Sequence, residues 1–318
     1  MSVQTTALKM VATREAYGQA LLELGEKCKD IVVLDADLAK STTTIKFGKK
    51  FPDRFFDMGI AEANMMNTAA GLATCGKVPF VSTFSIFATG RAWEQIRNTI
   101  SYSGLNVKIV ATHGGVAVGA DGCSHQCIED FALMRAIPTM TVIEPCDAVE
   151  SKKAVIAAYH RPGPVYIRLG RSPVPVITEE KDPFEIGKAV YLREGKDVSI
   201  VACGAMVVLA LKAAESLSSQ GIEATVIDMH TLKPIDKEAL REAARRTGAI
   251  VTAEQHVLEG GLGSAVALVL AQEHPVPLEV VGIDNRFGQS GDPETLFKEY
   301  HLTPEDIFQA ALRAFNRK

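Results

Sequence analysis

Short, almost wholly apolar runs recur along this chain, each the length of one strand and each set off from the next by a stretch with helical spacing. Runs at 31–34, 78–81, 107–111, 140–143 and 165–169 alternate with helical patterns at 10–28, from 62 onward, at 86–100, 128–136 and 147–159. Runs this short and this continuous are those of strands buried on both faces, and their alternation with helices builds a mainly parallel sheet covered by helices. Residues 170–187 break the rhythm with three prolines and the charged stretch Glu179-Glu180-Lys181-Asp182-Pro183. Beyond them the alternation restarts, with strands at 198–202, 224–227, 249–253 and 278–283 and helices at 205–219, 236–246 and 262–273. The expectation is an α/β fold of two domains in series, 1–175 and 189–318, joined by a linker over 176–188, each with its own sheet.

A length of 318 residues suits two well-buried cores, and a formal charge of -4 with dispersed Lys and Arg points to neither nucleic acid nor an acidic partner. The six cysteines include no C-x-x-C pair, and Cys123 and Cys127, one helical turn apart, make a poor zinc site by themselves. No apolar leader core and no membrane-length run is present, so a cytoplasmic protein with reduced thiols and no membrane contact is expected.

The stretch 57–97 carries the sharpest chemical signal. Glu62 heads a helical pattern of small and apolar residues (Met65, Met66, Ala69, Ala70, Leu72, Ala73) with almost no other charge. A helix apolar on every side is normally buried, which would bury its glutamate as well. Such a carboxylate is costly unless something shares its proton or charge. The plainer alternative is an acid satisfying the first amides of its own helix. The loop from His113 to His125 holds four glycines, two histidines and Asp121, so backbone can approach a ligand closely there. Phe84 and Phe87, at i and i+3, suit either plain core or a flat apolar slot. Arg14 by itself suits a surface cap or ion pair, and of Arg168 and Arg171 the latter, two residues past Leu169, lies where a side chain can leave the sheet. Asp37 ends a strand-to-loop junction and is equally able to cap that loop. The glycines 260, 261 and 263 match a tight strand-to-helix turn and lack a nucleotide-loop lysine.

The blocks MGIAEANM, STFSIF, RAWEQIR and VGADGCSHQCIEDFALMR, in this order and spacing, resemble the pyrimidine-binding domain of transketolase. TAEQHVLEGGLGSAVA and FGQSGDPETLFKEYHLTPEDI resemble its C-terminal domain. The resemblance implies that Glu62 hydrogen-bonds N1′ of the thiamine diphosphate pyrimidine and favours the imino form that activates the thiazolium carbon. By the same carry-over Phe84 and Phe87 flank that ring, and Asp37 touches the cofactor across a subunit interface. Asp121 would set sugar stereochemistry and His125 would contact the donor and the reacting carbon. His113 would lie at the mouth near the substrate phosphate, with Arg14, Ser41 and Arg171 as phosphate contacts. Gly90, read as an additional residue between Phe87 and Arg91, departs from the pattern where relatives often carry an aromatic. His256 would be at most an interface residue, and the second domain would supply no catalytic group.

The family's Gly-Asp-Gly…Asn signature for the diphosphate and its divalent metal, Mg2+ or Ca2+, is absent from this sequence, so no metal ligand is assigned here. The resemblance therefore implies the C-terminal subunit of a split transketolase. It would transfer a two-carbon ketol unit between phosphorylated ketose and aldose, in the carbohydrate metabolism of the pentose phosphate pathway. An α2β2 assembly with a chain carrying the diphosphate domain is the expected partner arrangement. Three other identities share parts of this layout: the β-subunit of a 2-oxo acid dehydrogenase, a non-catalytic regulatory homologue, and 1-deoxyxylulose-5-phosphate synthase.

Overall fold

The computed structural model of the chain describes residues 9–318; residues 1–8 of the expected first domain lie outside the described residues. A seven-stranded sheet runs in spatial order Thr231–Lys233, Thr141–Ile143, Val165–Arg168, Lys108–Ala111, Val78–Ser82, Ile31–Asp35 and Phe55–Asp57. Every neighbouring pair is parallel except the first. A five-stranded sheet follows, ordered Leu278–Ile283, Ile250–Val257, Val198–Ala202, Ala224–Asp228 and Val190–Arg193, with only the last pair antiparallel. Most of the apolar runs read from the sequence are interior strands buried on both faces, as their composition requires, whereas the run Leu278–Ile283 is a half-buried edge strand.

Two sheets form as expected, but they are not built from separate stretches of chain. Thr231–Lys233, beyond the break at 170–187, pairs with Thr141–Ile143 and completes the first sheet's edge, and Lys233 Nζ donates to the Arg135 carbonyl at 2.8 Å. A three-residue strand has no periodicity to read, so only its partner reveals it. The same holds at the beginning. The helix expected from residue 10 starts at Thr13, because Met10–Ala12 pairs antiparallel with Pro173–Pro175 in a two-stranded ribbon. An edge ribbon tolerates prolines that a central strand would not. It also fastens the chain's start to the exit of strand Val165–Arg168, which brings Arg14 towards Arg171.

Two local features differ from the sequence reading. The Glu62 helix, Glu62–Thr74, buries Met65, Met66, Ala69 and Ala70 but exposes Asn64, Asn67, Gly71 and Thr74 at three- and four-residue steps. It is therefore not buried all round within this chain, and Ile60 just ahead of it is 74% exposed. The segment expected as one amphipathic helix over 86–100 holds two π-helical stretches, Phe87–Arg91 and Gln95–Ser101. A π-turn takes in one residue more than an α-turn, so this stretch is where the additional residue expected at Gly90 would be accommodated.

Candidate active site

The parallel strands Ile31–Asp35, Val78–Ser82, Lys108–Ala111 and Val165–Arg168 all deliver their following loops to one end of the sheet, the end where open α/β sheets hold ligands. Glu62 is only 5% exposed there. Its Oε1 accepts a hydrogen bond from Arg91 Nη1 at 2.8 Å. The Arg91 guanidinium, half-exposed, lies 4.0 Å from the centre of the Phe87 ring. Phe87 is stacked on Phe84 at 5.6 Å, and Phe84 on His113 at 3.8 Å. His125 stands edge-on to both phenylalanines and meets Ser124 Oγ through Nδ1 at 2.9 Å. A buried carboxylate thus sits beside a series of flat rings, with the half-exposed cation Arg91 laid over Phe87.

His113 is deeper than the sequence suggested. Expected at the mouth, it is 3% exposed, pressed against Phe84, and shares a hydrogen bond with Thr112 Oγ1 through Nδ1 at 2.8 Å. Burial, helped by Arg14, Arg171 and His125, pulls its pKa down to about 3. The imidazole is therefore neutral and brings no positive charge to a phosphate.

The mouth belongs instead to Arg14 and Arg171. Both line a cavity of about 500 Å3 together with Gly119, Ala120, Gly291 and Asp292. Arg14 Nη1 donates to the Ser41 carbonyl at 2.5 Å, while its buried Nε has no partner within the described residues. Its pKa is lowered chiefly by burial, Glu15 opposing and Arg171 adding to the effect. Ser41 thus enters through its backbone oxygen, which positions Arg14, and its hydroxyl makes no hydrogen bond among the described residues. Arg171 pairs with Asp121 at 3.3 Å and also donates to the Val118 carbonyl. Arg168 is a different kind of residue. It is 1% exposed, stands 3.5 Å from Asp130 and 3.6 Å from Glu144, donates to the Gln255 carbonyl at 2.8 Å, and lies over the Phe131 ring. A Cβ on Gly114 would come within 2.0 Å of Arg168 Nε, so glycine is required where the loop crosses this side chain.

The second domain reaches the mouth as well, which the sequence reading did not assign. Gln126 Nε2 donates to the Gln289 carbonyl at 2.9 Å and Ser290 Oγ to the Ala120 carbonyl at 2.6 Å, tying the glycine-rich loop to the turn before the helix Pro293–Glu299. The motif FGQSGDPETLF was the available signal. Asp37 is exposed at φ 61°, and its amide donates to Asp57 Oδ1 at 3.1 Å, just ahead of the Glu62 helix. Behind it Asp35 is buried and held by Thr42, Thr44 and the Leu38 amide; burial outweighs those bonds and lifts its pKa to about 6.

Two groups elsewhere are accounted for structurally. Gly260, at φ 81°, and Gly261 make the expected strand-to-helix turn, and the anion at the head of helix Leu262–Glu273 is the chain's own Glu254, which accepts from the Leu262 and Gly263 amides at 2.6 and 2.8 Å. His256 is not an interface residue of the surface: it is fully buried, stacked on Phe131 at 5.1 Å between the two domains, and burial lowers its pKa to about 4. Cys146, Glu150 and Asp228, which the sequence did not bring together, have ligand atoms within 4.8 Å of one another. Burial raises all three pKa values, Glu150 to about 7, which favours proton sharing among them. No helix among the described residues is long and apolar enough to cross a membrane.

A doubly wound domain that gathers a buried acid, an aromatic face and an arginine-lined mouth at its strand ends is a ligand-binding α/β module of the kind that serves cofactor enzymes. Residues 9–176 match the family model for the transketolase pyrimidine-binding domain, and residues 187–307 that for the transketolase C-terminal domain. The chain belongs to the transketolase family. It is 45% identical over 305 residues to a 6-deoxy-6-sulfo-D-fructose transketolase subunit from Clostridium sp. strain MSTE9, covering 96% of this chain and 95% of that one. It is 41% identical over 307 residues to an apulose-4-phosphate transketolase subunit from Phocaeicola vulgatus, covering 96% and 98%. A solved structure described as a split gene transketolase, inactive beta4 tetramer, superposes with a TM-score of 0.91 at 56% identity, over 97% of this chain and 99% of that one.

Proposed function

We propose that this chain is the C-terminal subunit of a thiamine-diphosphate-dependent transketolase, moving a two-carbon ketol unit from a ketose phosphate to an aldose phosphate together with a partner chain that binds the diphosphate and its Mg2+ or Ca2+. The observation that carries the reading is the placement of buried Glu62 beside the Phe84–Phe87 face at the same sheet end as Arg14 and Arg171. The donor set suits the pyrimidine end of the cofactor: a carboxylate for a ring nitrogen and a flat apolar surface for the ring itself. When bound, thiamine diphosphate supplies the nucleophilic carbon that cleaves and rebuilds the bond beside the ketose carbonyl.

This chain's residues do the rest of what its half requires. Glu62 holds a proton at the pyrimidine N1′, Phe84 and Phe87 orient the ring, and exposed Asp37 sits where a second subunit can bring cofactor past it. Arg14 and Arg171 grip the sugar phosphate, whose two charges match the pair of guanidinium groups. Anchoring one end of a long flexible sugar orients its reacting carbon. His125 lies against the phenylalanines, able to exchange a proton with the substrate oxygens, and Asp121 can leave Arg171 for a sugar hydroxyl. His113 shapes the slot as a neutral packing group behind Phe84. The exposed face Asn64, Asn67, Gly71 and Thr74, with Ile60, is the surface we assign to subunit contact, in an α2β2 assembly.

The test is reconstitution with the chain carrying the diphosphate domain, followed by a ketol-transfer assay using xylulose 5-phosphate and ribose 5-phosphate. Cofactor-dependent transfer by the pair and none by either chain is the expected result. Turnover of pyruvate in place of sugar phosphates, or transfer left intact by Glu62→Gln, overturns the reading.

A further inference from the structure

We propose that Arg91 occupies the seat of the cofactor's pyrimidine ring while the chain is without its partner, so that the ring enters only as this guanidinium leaves. The inference rests on the reading of Glu62 and Phe87 as pyrimidine contacts and adds a residue that reading does not use. A pyrimidine seated here asks for two things: a flat face to stack on and a carboxylate to share a proton with. Arg91 takes both. Its Nη1 donates to Glu62 Oε1 at 2.8 Å while its plane lies 4.0 Å from the Phe87 ring centre. A guanidinium is planar, stacks on aromatic faces and donates to carboxylates, so it satisfies the slot in the way the ring would.

The surroundings let the side chain act as a removable occupant. Arg91 is 51% exposed, and Glu62 is the only acid it is paired with among the described residues. The neighbouring Gly90 is exposed, and a Cβ there would find only Ile86 Cδ1 at 3.9 Å, so the backbone just before Arg91 is open to solvent. Phe87 and Arg91 open and close one π-helical stretch, four residues apart, and the guanidinium lies over the ring. In solvent, a half-exposed ion pair and one cation–ring contact are individually weak. Arg91 therefore lowers affinity for the ring without abolishing it, and cofactor capture becomes strong only when the diphosphate end is held by the partner.

The experiment measures binding of 4-amino-5-hydroxymethyl-2-methylpyrimidine, and separately of thiamine diphosphate, to the isolated full-length chain. Fluorescence of Trp93, the chain's single tryptophan and two residues from Arg91, supplies the signal, with ligand-observed NMR as a second readout. Arg91→Ala is expected to bind the pyrimidine about tenfold more tightly than the parent, equivalent to about 1.4 kcal/mol, and Arg91→Lys to fall between them. Unchanged thermal melts confirm that both variants are folded. Equal or weaker binding by Arg91→Ala, or no measurable binding by any variant at the solubility limit of the ligand, overturns the proposal. Glu62→Gln separates its failure from that of the underlying reading. If Glu62→Gln weakens ring binding but Arg91→Ala does not strengthen it, the seat is right and the occupant wrong. If Glu62→Gln changes nothing even in the Arg91→Ala background, the seat itself is wrong and the proposal falls with it.

Discussion

Each domain of this chain buries a glutamate close to a helix N-terminus, Glu62 in the first and Glu254 in the second, and these two serve different ends. Glu254 is wholly buried and accepts from two amides of its own chain, Leu262 N and Gly263 N. Glu62 is nearly as buried, yet its partner is a half-exposed arginine. Burial costs a carboxylate its hydration in both places. In the second domain fixed backbone donors offset that cost, and the acid is part of the framework. In the first the offset comes from a half-exposed side chain, and on the proposed reading the acid remains available to an incoming group. What distinguishes a site from a structural acid here is the replaceability of its partners. The arginines repeat the contrast: Arg168 is enclosed by Asp130 and Glu144, whereas Arg171 stands at the mouth.

The largest expected effect is on turnover. Glu62→Ala in the reconstituted pair lowers kcat by about 10²–10⁴-fold, the range for removing a proton-transfer group, with little change in Tm. Glu254→Ala does the reverse; it strands two buried amides and lowers unfolding free energy by about 1–3 kcal/mol in a urea titration. If Glu254→Ala melts like the parent and Glu62→Ala unfolds it, the comparison is inverted. Arg168→Met leaves Asp130 and Glu144 buried without their cation and costs about 3–5 kcal/mol of stability. Arg171→Ala leaves stability unchanged within error and raises KM for phosphorylated substrates by about tenfold, the loss of one charged hydrogen-bonding contact.

Stability also carries a pH dependence with opposed sides. Burial moves Glu254 and Glu150 from 4.5 to about 7, so the folded chain keeps protons that the unfolded chain releases. Stability therefore falls as pH rises through the window from about 4.5 to about 7 and then levels off. His113 works the other way: the unfolded imidazole takes a proton at 6.5 and the folded one only at about 3, so stability falls as pH drops across that interval. Glu254→Gln flattens the upper limb and His113→Asn the lower, asparagine being tolerated at the positive φ of position 113. Melts recorded at closely spaced pH values distinguish the two limbs, and an unaltered profile in both variants counts against these assignments.

By itself the sequence determined the alternation of strands and helices, because two-sided burial forces continuous apolar runs and those can be counted. It also marked Glu62, Phe84, Phe87, Arg14 and Arg171, through charge in an apolar setting and through blocks similar to transketolase. Tertiary structure alone decided which groups those residues meet. The depth of His113, the enclosure of Arg168, the entry of Gly291 and Asp292 into the mouth, and the laying of Arg91 across Phe87 onto Glu62 are long-range encounters. So is the strand Thr231–Lys233, which leaves one sheet's stretch of chain to finish the other. Periodicity records which side of an element faces away from water, but it carries no information about what fills the space on the other side.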